Sequence, residues 1–253
     1  MIQVSVIGSG NVAHHLVKAF SETSEVEIIQ VLARNKGALS ELLSPEQLIS
    51  DWSLLKKVDV IIIAVTDEAI ATVSNQIPFN NQLVVHTSGS VGLSTLNKNN
   101  RRGVFYPLQT FSKAKAVYYK TVPICLEAEL AEDYQVLQNL AQSISQNIYT
   151  VNSEQRKALH TAAVFVSNFV NHLYQMGNEI CLKNKLSFDI LKPLIQETAQ
   201  KILTLSPAEA QTGPAKRNDT ETINKHLLFL TDENQKEIYK LLTKSIIDHE
   251  KKL

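Results

Sequence analysis

Apolar residues follow two different rhythms along this chain. Up to residue 152 they come in short, mainly apolar runs set apart by polar and glycine-containing turns. These runs are Val4 to Ile7, Val26 to Ala33, Val58 to Val65 (the most apolar of all), Leu83 to Val85, and Val104 with Phe105. Mainly apolar runs of about four to eight residues bounded by turns are strands covered on both faces, as in a parallel sheet. A helix is predicted over residues 11 to 22. Two more strands, near Thr121 to Leu126 and Asn147 to Val151, flank a helix from about Ala128 to Ser145. From Ser153 onward the apolar residues recur at helical spacing and no strand pattern returns. Ser153 reads as the N-cap of a helix reaching Lys183. Gly213 and Pro214 break a later helix, Asp219 caps the next, and a last helix runs from about Asp232 to Lys252. The change of rhythm divides the chain into residues 1–152, an α/β domain with a doubly wound, mainly parallel sheet, and residues 153–253, an all-α domain.

The first run leads directly into Gly8, Ser9, Gly10, Asn11, Val12 and Ala13, a GxGxxA turn opening a helix. This is the dinucleotide-binding fingerprint. The first glycine permits the tight turn, the second lets backbone approach a pyrophosphate, and the small third residue lets the helix pack close on the strand. The phosphates then meet free N–H groups at the positive end of the helix. A glycine turn can also simply join a strand to a helix. Here the second run arrives at the spacing of a βαβ unit of roughly 30 residues, which favours the nucleotide. Beyond that run, where an acidic residue would meet a ribose hydroxyl, stand Arg34, Asn35 and Lys36. A cation there pairs with a 2′-phosphate and points to NADP rather than NAD; Lys36 is equally well explained as a solvated surface residue. Ligands gather outside the carboxyl ends of parallel strands, so Ala64, Val65 and Thr66 are expected to line the cofactor.

Candidate substrate groups follow. His86, Thr87, Ser88, Gly89 and Ser90 close the strand at residues 83–85, and their small hydroxyls suit a substrate's polar group. The competing reading is a polar turn with a helix cap at Ser90 or Ser94. Tyr106 and Gln109 flank Pro107 and offer a phenol and an amide to a pocket wall. On the long helix, His160, Ser167 and Asn171 fall within one stripe at 100° per residue, with Asn168 to one side, on an otherwise apolar segment expected to be buried. Buried polar groups need partners. Either the stripe bonds to neighbouring backbone or a twin subunit, or it faces the nicotinamide. In the second case histidine, which as a residue type titrates near neutrality, exchanges the proton that accompanies hydride transfer. Arg217 could hold a substrate carboxylate, while Lys216 and Asp219 are explained by solvation and capping.

Twenty-five basic residues balance twenty-five acidic ones, so no net field favours nucleic acid or an anionic membrane. Small molecules and protein are the expected partners. No leader pattern opens the chain and no run approaches the roughly 18 apolar residues of a membrane span, so a cytoplasmic protein is expected. Cys125 and Cys181 are far apart without metal-ligand spacing and read as buried free thiols; no metal is expected.

The GxGxxA turn, Arg34 and Asn35, the run ending in Ala64, Val65 and Thr66, and the helical second half together resemble a superfamily of dehydrogenases and reductases. It includes 6-phosphogluconate dehydrogenase, β-hydroxyacid dehydrogenases, pyrroline-5-carboxylate reductase and prephenate dehydrogenase. More narrowly, residues 86–90, 106–111, 160–174 and 213–226 resemble a bacterial putative NADP oxidoreductase family that joins a Rossmann-like domain to a helical domain of unknown function. The resemblance implies an NADP-dependent oxidoreductase acting on a small carbonyl, imine or hydroxyacid between the domains, and a homodimer formed through the helical domain. It also implies a substrate loop at Ser88, Gly89 and Ser90. The catalytic lysine and asparagine of the β-hydroxyacid enzymes fall at His160 and Asn168. Histidine is shorter than lysine and need not be charged, so reduction of C=N or C=O fits as well as hydroxyacid oxidation. The alternative is a nucleotide-sensing or scaffold protein that keeps the fold without the chemistry.

Overall fold

The computed structural model describes residues 1–35, 37 and 39–250. Lys36 and Lys252, both named above, lie outside the described residues. The chain packs as two compact units, Met1–Ser167 and Asn168–Leu253.

The first unit contains β1 (Ile2–Ile7), α1 (Asn11–Ser21), β2 (Val26–Leu32), β3 (Leu48–Ile49), β4 (Val60–Ile63), α2 (Ile70–Gln76), β5 (Leu83–His86), β6 (Arg101–Pro107), β7 (Ile124–Ala128), α3 (Ala131–Gln142), β8 (Ile148–Thr150) and α4 (Ser153–Ala163). The eight strands form one sheet in the order β3-β2-β1-β4-β5-β6-β7-β8. Every pairing is parallel except β6 with β7. Alternate residues of β4 serve opposite faces. Val60 and Ile62 join one core with Leu16, Phe20 and Phe105, while Ile61 and Ile63 join another with Ile70 and Val84. Both faces are covered, which is why the run reads as continuously apolar. Strand order reverses between β1 and β4, and the crevice outside their carboxyl ends is where such sheets bind ligands.

The helix opening at Ser153 is capped differently from the sequence-based expectation. The cap is Asn152, whose side chain accepts the Gln155 N–H at 2.8 Å while Gln155 reaches back to the Asn152 N–H at 3.0 Å. Ser153 turns its hydroxyl to Glu127 instead. The strands end before the expected boundary at Asn152, but α4 packs with the sheet, so the compact units divide after Ser167. A π-helical turn, Val164–Phe169, follows α4 and leads into α5 (Val170–Lys183). The π turn changes the angle per residue, so the stripe drawn through His160, Ser167 and Asn171 at a constant 100° does not hold. Nor is that segment buried within the chain: Phe165 is 63% exposed and Val166 75%.

The second unit continues with α6 (Lys192–Lys201), α7 (Pro207–Ala210), α8 (Thr220–Phe229) and α9 (Glu233–Glu250), and no strand is present among the described residues. Asp219 caps α8 by accepting the Thr222 N–H at 3.0 Å, and Asp232 does the same for Gln235 at the start of α9, at 2.9 Å. No helix among the described residues is long and apolar enough to cross a membrane.

Gly8 has a φ of +131°, and a Cβ there would stand 2.1 Å from the carbonyl oxygen of Ala64. Gly8→Ala is therefore expected to destabilise the first unit by about 2–4 kcal/mol, through backbone strain and a backbone clash that cannot relax cheaply. Urea denaturation followed by circular dichroism measures this; a loss below about 0.5 kcal/mol, the range of neutral surface changes, would show that β1 and β4 can separate there.

Candidate active site

At the carboxyl end of β1 the glycine turn is bonded to β2, and the chain leaving β4 is bonded to the last residue of β1. Gly8 N–H donates to Leu32 O at 2.9 Å, and Ala64 N–H donates to Ile7 O at 2.8 Å. Ala13 is fully buried, as the close packing of α1 on the sheet requires. Gly10 is the N-cap of α1 and has no side chain to satisfy the first-turn N–H groups; that turn also carries no acidic residue. A Cβ on Gly10 would meet nothing within 4 Å. Uncapped donors, the positive end of the helix dipole and open space over Gly10 fit a pyrophosphate. Ser9 and Val12 are half-buried in this turn, and Ala64, Val65 and Thr66 run outward from β4. Arg34 and Asn35 are exposed beyond the carboxyl end of β2. The Asn11 side chain also ties α1 to a distant loop, since its Nδ2 donates to Phe111 O at 3.0 Å, and His15 Nε2 lies 2.9 Å from Ser112 O. The loop after β6 is thereby fastened to the first turns of α1.

A second group assembles where β5 and β6 end. Tyr106 and His160 are 54 residues apart in sequence, yet the phenol oxygen lies 3.0 Å from His160 Nδ1. Gly89 fits against both. A Cβ there would be 2.5 Å from His160 Nδ1 and 2.8 Å from Tyr106 Cζ. Burial, and next the neighbouring Cys125, push the Tyr106 phenol up to about 12. It therefore stays protonated at neutral pH. Ser88 acts inside its own turn, where its Oγ accepts the N–H groups of Ser90 at 3.1 Å and Val91 at 3.0 Å, while the Ser90 side chain is exposed. His86, fully buried beneath, accepts the Ser88 N–H on Nδ1 at 3.2 Å.

Sequence reasoning missed what holds this group in place. Arg156, one helical turn before His160, is fully buried. Its Nε donates to Ser88 O at 3.2 Å, Nη2 donates to Val91 O at 2.6 Å and to Ser153 Oγ at 3.3 Å, and Nη1 is ion-paired with Glu127. Glu127 also accepts the Ser153 N–H at 3.0 Å. The signal was the i, i+4 spacing of Arg156 and His160, which places both on one face of α4.

Other candidates are placed differently. Gln109 is exposed and its Oε1 accepts the Thr110 N–H at 2.8 Å. Asn168, Asn171 and Arg217 are exposed or half-buried residues of the second unit, and the Arg217 N–H donates to Gly213 O at 3.3 Å. Both cysteines are free and buried.

Comparisons with known proteins give the family and the fold. Residues 3–89 match the family described as NADP oxidoreductase, coenzyme F420-dependent, and residues 122–246 match a domain of unknown function, DUF2520. The putative NADP oxidoreductase of Bacteroides fragilis is 37% identical, with 98% of each chain covered and a TM-score of 0.89. Two more distant structures share the fold. An imine reductase from Myxococcus stipitatus, solved as a variant with NAD+, is 15% identical over 99% of this chain and 94% of its own, with a TM-score of 0.60. A pyrroline-5-carboxylate reductase from Coxiella burnetii is 16% identical over 99% and 98%, with a TM-score of 0.58. No curated protein matches the chain.

Burial, and next the charge of Arg156, lower the pKa of His86 to about 4. Between the unfolded value of about 6.5 and the folded one, the unfolded chain binds a proton that the native state refuses. His86 thus adds stability above pH 6.5 that is lost as pH falls toward 4, on the order of 3 kcal/mol. His86→Asn should flatten the fall of the urea midpoint between pH 7 and pH 4.5. An unchanged slope would mean that His86 takes up its proton in the native state.

Proposed function

The chain belongs to the bacterial NADP oxidoreductase family of the Bacteroides fragilis protein, and from that premise we propose that it is an NADP-dependent oxidoreductase reducing a small C=O or C=N compound, or running the reverse oxidation of a hydroxyacid. The observation that carries this reading is the uncapped N-terminus of α1 over Gly10, at the point where strand order reverses. Ser9, Gly10, Asn11 and Val12 hold the pyrophosphate through backbone donors, and Gly8, whose own N–H is taken by Leu32 O, makes the turn that presents them. Arg34 pairs with the 2′-phosphate, with Asn35 beside it, and Ala64, Val65 and Thr66 line the path toward the nicotinamide. Bound there, the nicotinamide supplies or accepts the hydride.

The remaining chemistry is proton transfer. In reduction, carbon receives the hydride, and oxygen or nitrogen receives a proton from the His160 ring nitrogen that Tyr106 does not hold. Tyr106 fixes the ring by its 3.0 Å contact at Nδ1. Ser90 and the backbone of Ser88 and Gly89 are the groups proposed to hold the substrate, with Gln109 as a further candidate.

We also propose that the helical unit pairs with a second copy, in a cytoplasmic homodimer. Among its described residues the buried apolar side chains are Met176, Cys181, Ala215, Ile223 and Leu230, whereas Leu194, Leu203, Leu228 and Leu241 are 62%, 81%, 85% and 67% exposed. Apolar surface on this scale is expected to be covered by a partner.

Two measurements test the catalytic reading and a third tests the dimer. In fluorescence titration NADPH should bind more tightly than NADH, and Arg34→Asp should weaken NADPH by roughly tenfold or more while changing NADH little, because one ion pair with the phosphate is replaced by repulsion; equal losses would remove the 2′-phosphate assignment. His160→Ala should keep NADPH affinity and lower turnover by about 100-fold or more across a panel of carbonyls and imines, the usual contribution of a proton donor. A wild-type chain that binds NADPH but turns over nothing in the panel would favour a nucleotide sensor. Sedimentation velocity at micromolar concentration should give twice the mass of one chain, and Leu241→Glu should shift it toward one; a wild-type monomer would exclude the dimer.

A further inference from the structure

We infer that Arg156 is a positioning residue for the His160–Tyr106 pair, acting through the peptide planes of the Ser88–Val91 turn. The inference rests on the reading of that pair as the proton-transfer site. Each nitrogen of the guanidinium meets a different element: Nε the Ser88 carbonyl, Nη1 the Glu127 carboxylate on β7, and Nη2 the Val91 carbonyl with Ser153 Oγ at the start of α4. A planar fork can make these contacts at once, whereas an ammonium is a point charge. A buried charge is stable only when paired and hydrogen-bonded, and Glu127 supplies the countercharge.

The carbonyls, rather than the carboxylate, give Arg156 its effect on the site. A trans peptide is planar, with C=O and N–H pointing in opposite directions. When the Ser88 carbonyl is drawn to the guanidinium, the Gly89 N–H turns away from it. The same grip sets the distance between the β5 turn and α4, and that distance is tight: a Cβ on Gly89 would be 2.5 Å from the His160 ring and 2.8 Å from Tyr106. Ser88 Oγ fixes the other side of the turn by accepting from Ser90 and Val91, and His86 Nδ1 supports it from below. Without the guanidinium the turn retains those local bonds but loses its own hydrogen bonds to the helix that carries His160, leaving the one from Leu93 N–H to Ser153 Oγ at 3.1 Å, two residues beyond the turn.

The test compares the full-length wild type with Arg156→Lys and Arg156→Gln. Lysine keeps the charge opposite Glu127 but cannot span both carbonyls. Two readouts follow the site itself: hydrogen exchange of the amides of residues 88–92 relative to those of β1, and the long-range 1H–15N spectrum of the His160 imidazole. In both variants exchange in the turn should rise by about tenfold or more over the β1 reference, and the imidazole signals should move toward those of an unrestrained histidine. The NADPH dissociation constant should stay within about twofold of wild type, because the partners of Arg156 lie on the 88–91 turn, Glu127 and Ser153 rather than on the Gly8–Asn11 turn. If Arg156→Gln does not fold, Arg156→Lys decides. Native exchange and a native imidazole spectrum in a folded Arg156→Lys would overturn the inference. Failure of the wild type to bind NADPH would instead overturn the proposed function, with the exchange and imidazole comparison still deciding the role of Arg156.

Discussion

The buried guanidinium of Arg156, ion-paired with Glu127, is the interaction that ties α4 to the second half of the sheet. It joins three pieces of chain that are distant in sequence: the turn after β5, the strand β7 and the first turns of α4. Breaking a buried pair by removing one partner costs roughly 3–5 kcal/mol, because the remaining charge is left without compensation. The network around this pair is well satisfied, with two backbone carbonyls, a serine hydroxyl and a carboxylate converging on one guanidinium. Its location explains why α4 packs with the sheet.

The first half of the sheet relies on sterics rather than charge. Gly8 packs directly against the backbone of Ala64 at the end of β4, and both its positive φ and the place its Cβ would take exclude any side chain. Glycine at residue 89 has a different reason. Its φ is not unusual, and the space a methyl group would need is filled by His160 and Tyr106. One glycine serves backbone conformation and the other serves the packing of two functional side chains.

That difference governs what could be read in advance. The sheet was legible because β4 is buried on both faces and reads as an unbroken apolar run, with β1 and β2 mainly apolar beside it, and Gly8 was legible because its motif has a fixed spacing next to a strand. Tyr106, Gly89 and His160 were each singled out, but for separate reasons, and only the fold brings them into contact. Arg156 was not found because a buried arginine resembles a solvated one until its partners are known. Ser153 was assigned as a cap because it begins the helix, yet Asn152 has the reciprocal geometry with Gln155. The stripe through His160 and Asn171 assumed a uniform helix, and the π turn at Val164–Phe169 has no marker of its own in the apolar pattern.

The segment from Tyr106 to Ser112 touches both groups of the first unit. Tyr106 holds His160 at one end, and at the other Phe111 and Ser112 present their carbonyls to Asn11 and His15 on α1. The stretch between the phenol and the Asn11 contact is too short for its two ends to move independently. The conformational entropy of this connection is therefore lost when the chain folds rather than when a ligand arrives, so binding at one group leaves little to be ordered at the other. These contacts preorganise the segment itself, between the Tyr106 phenol and the Phe111 carbonyl.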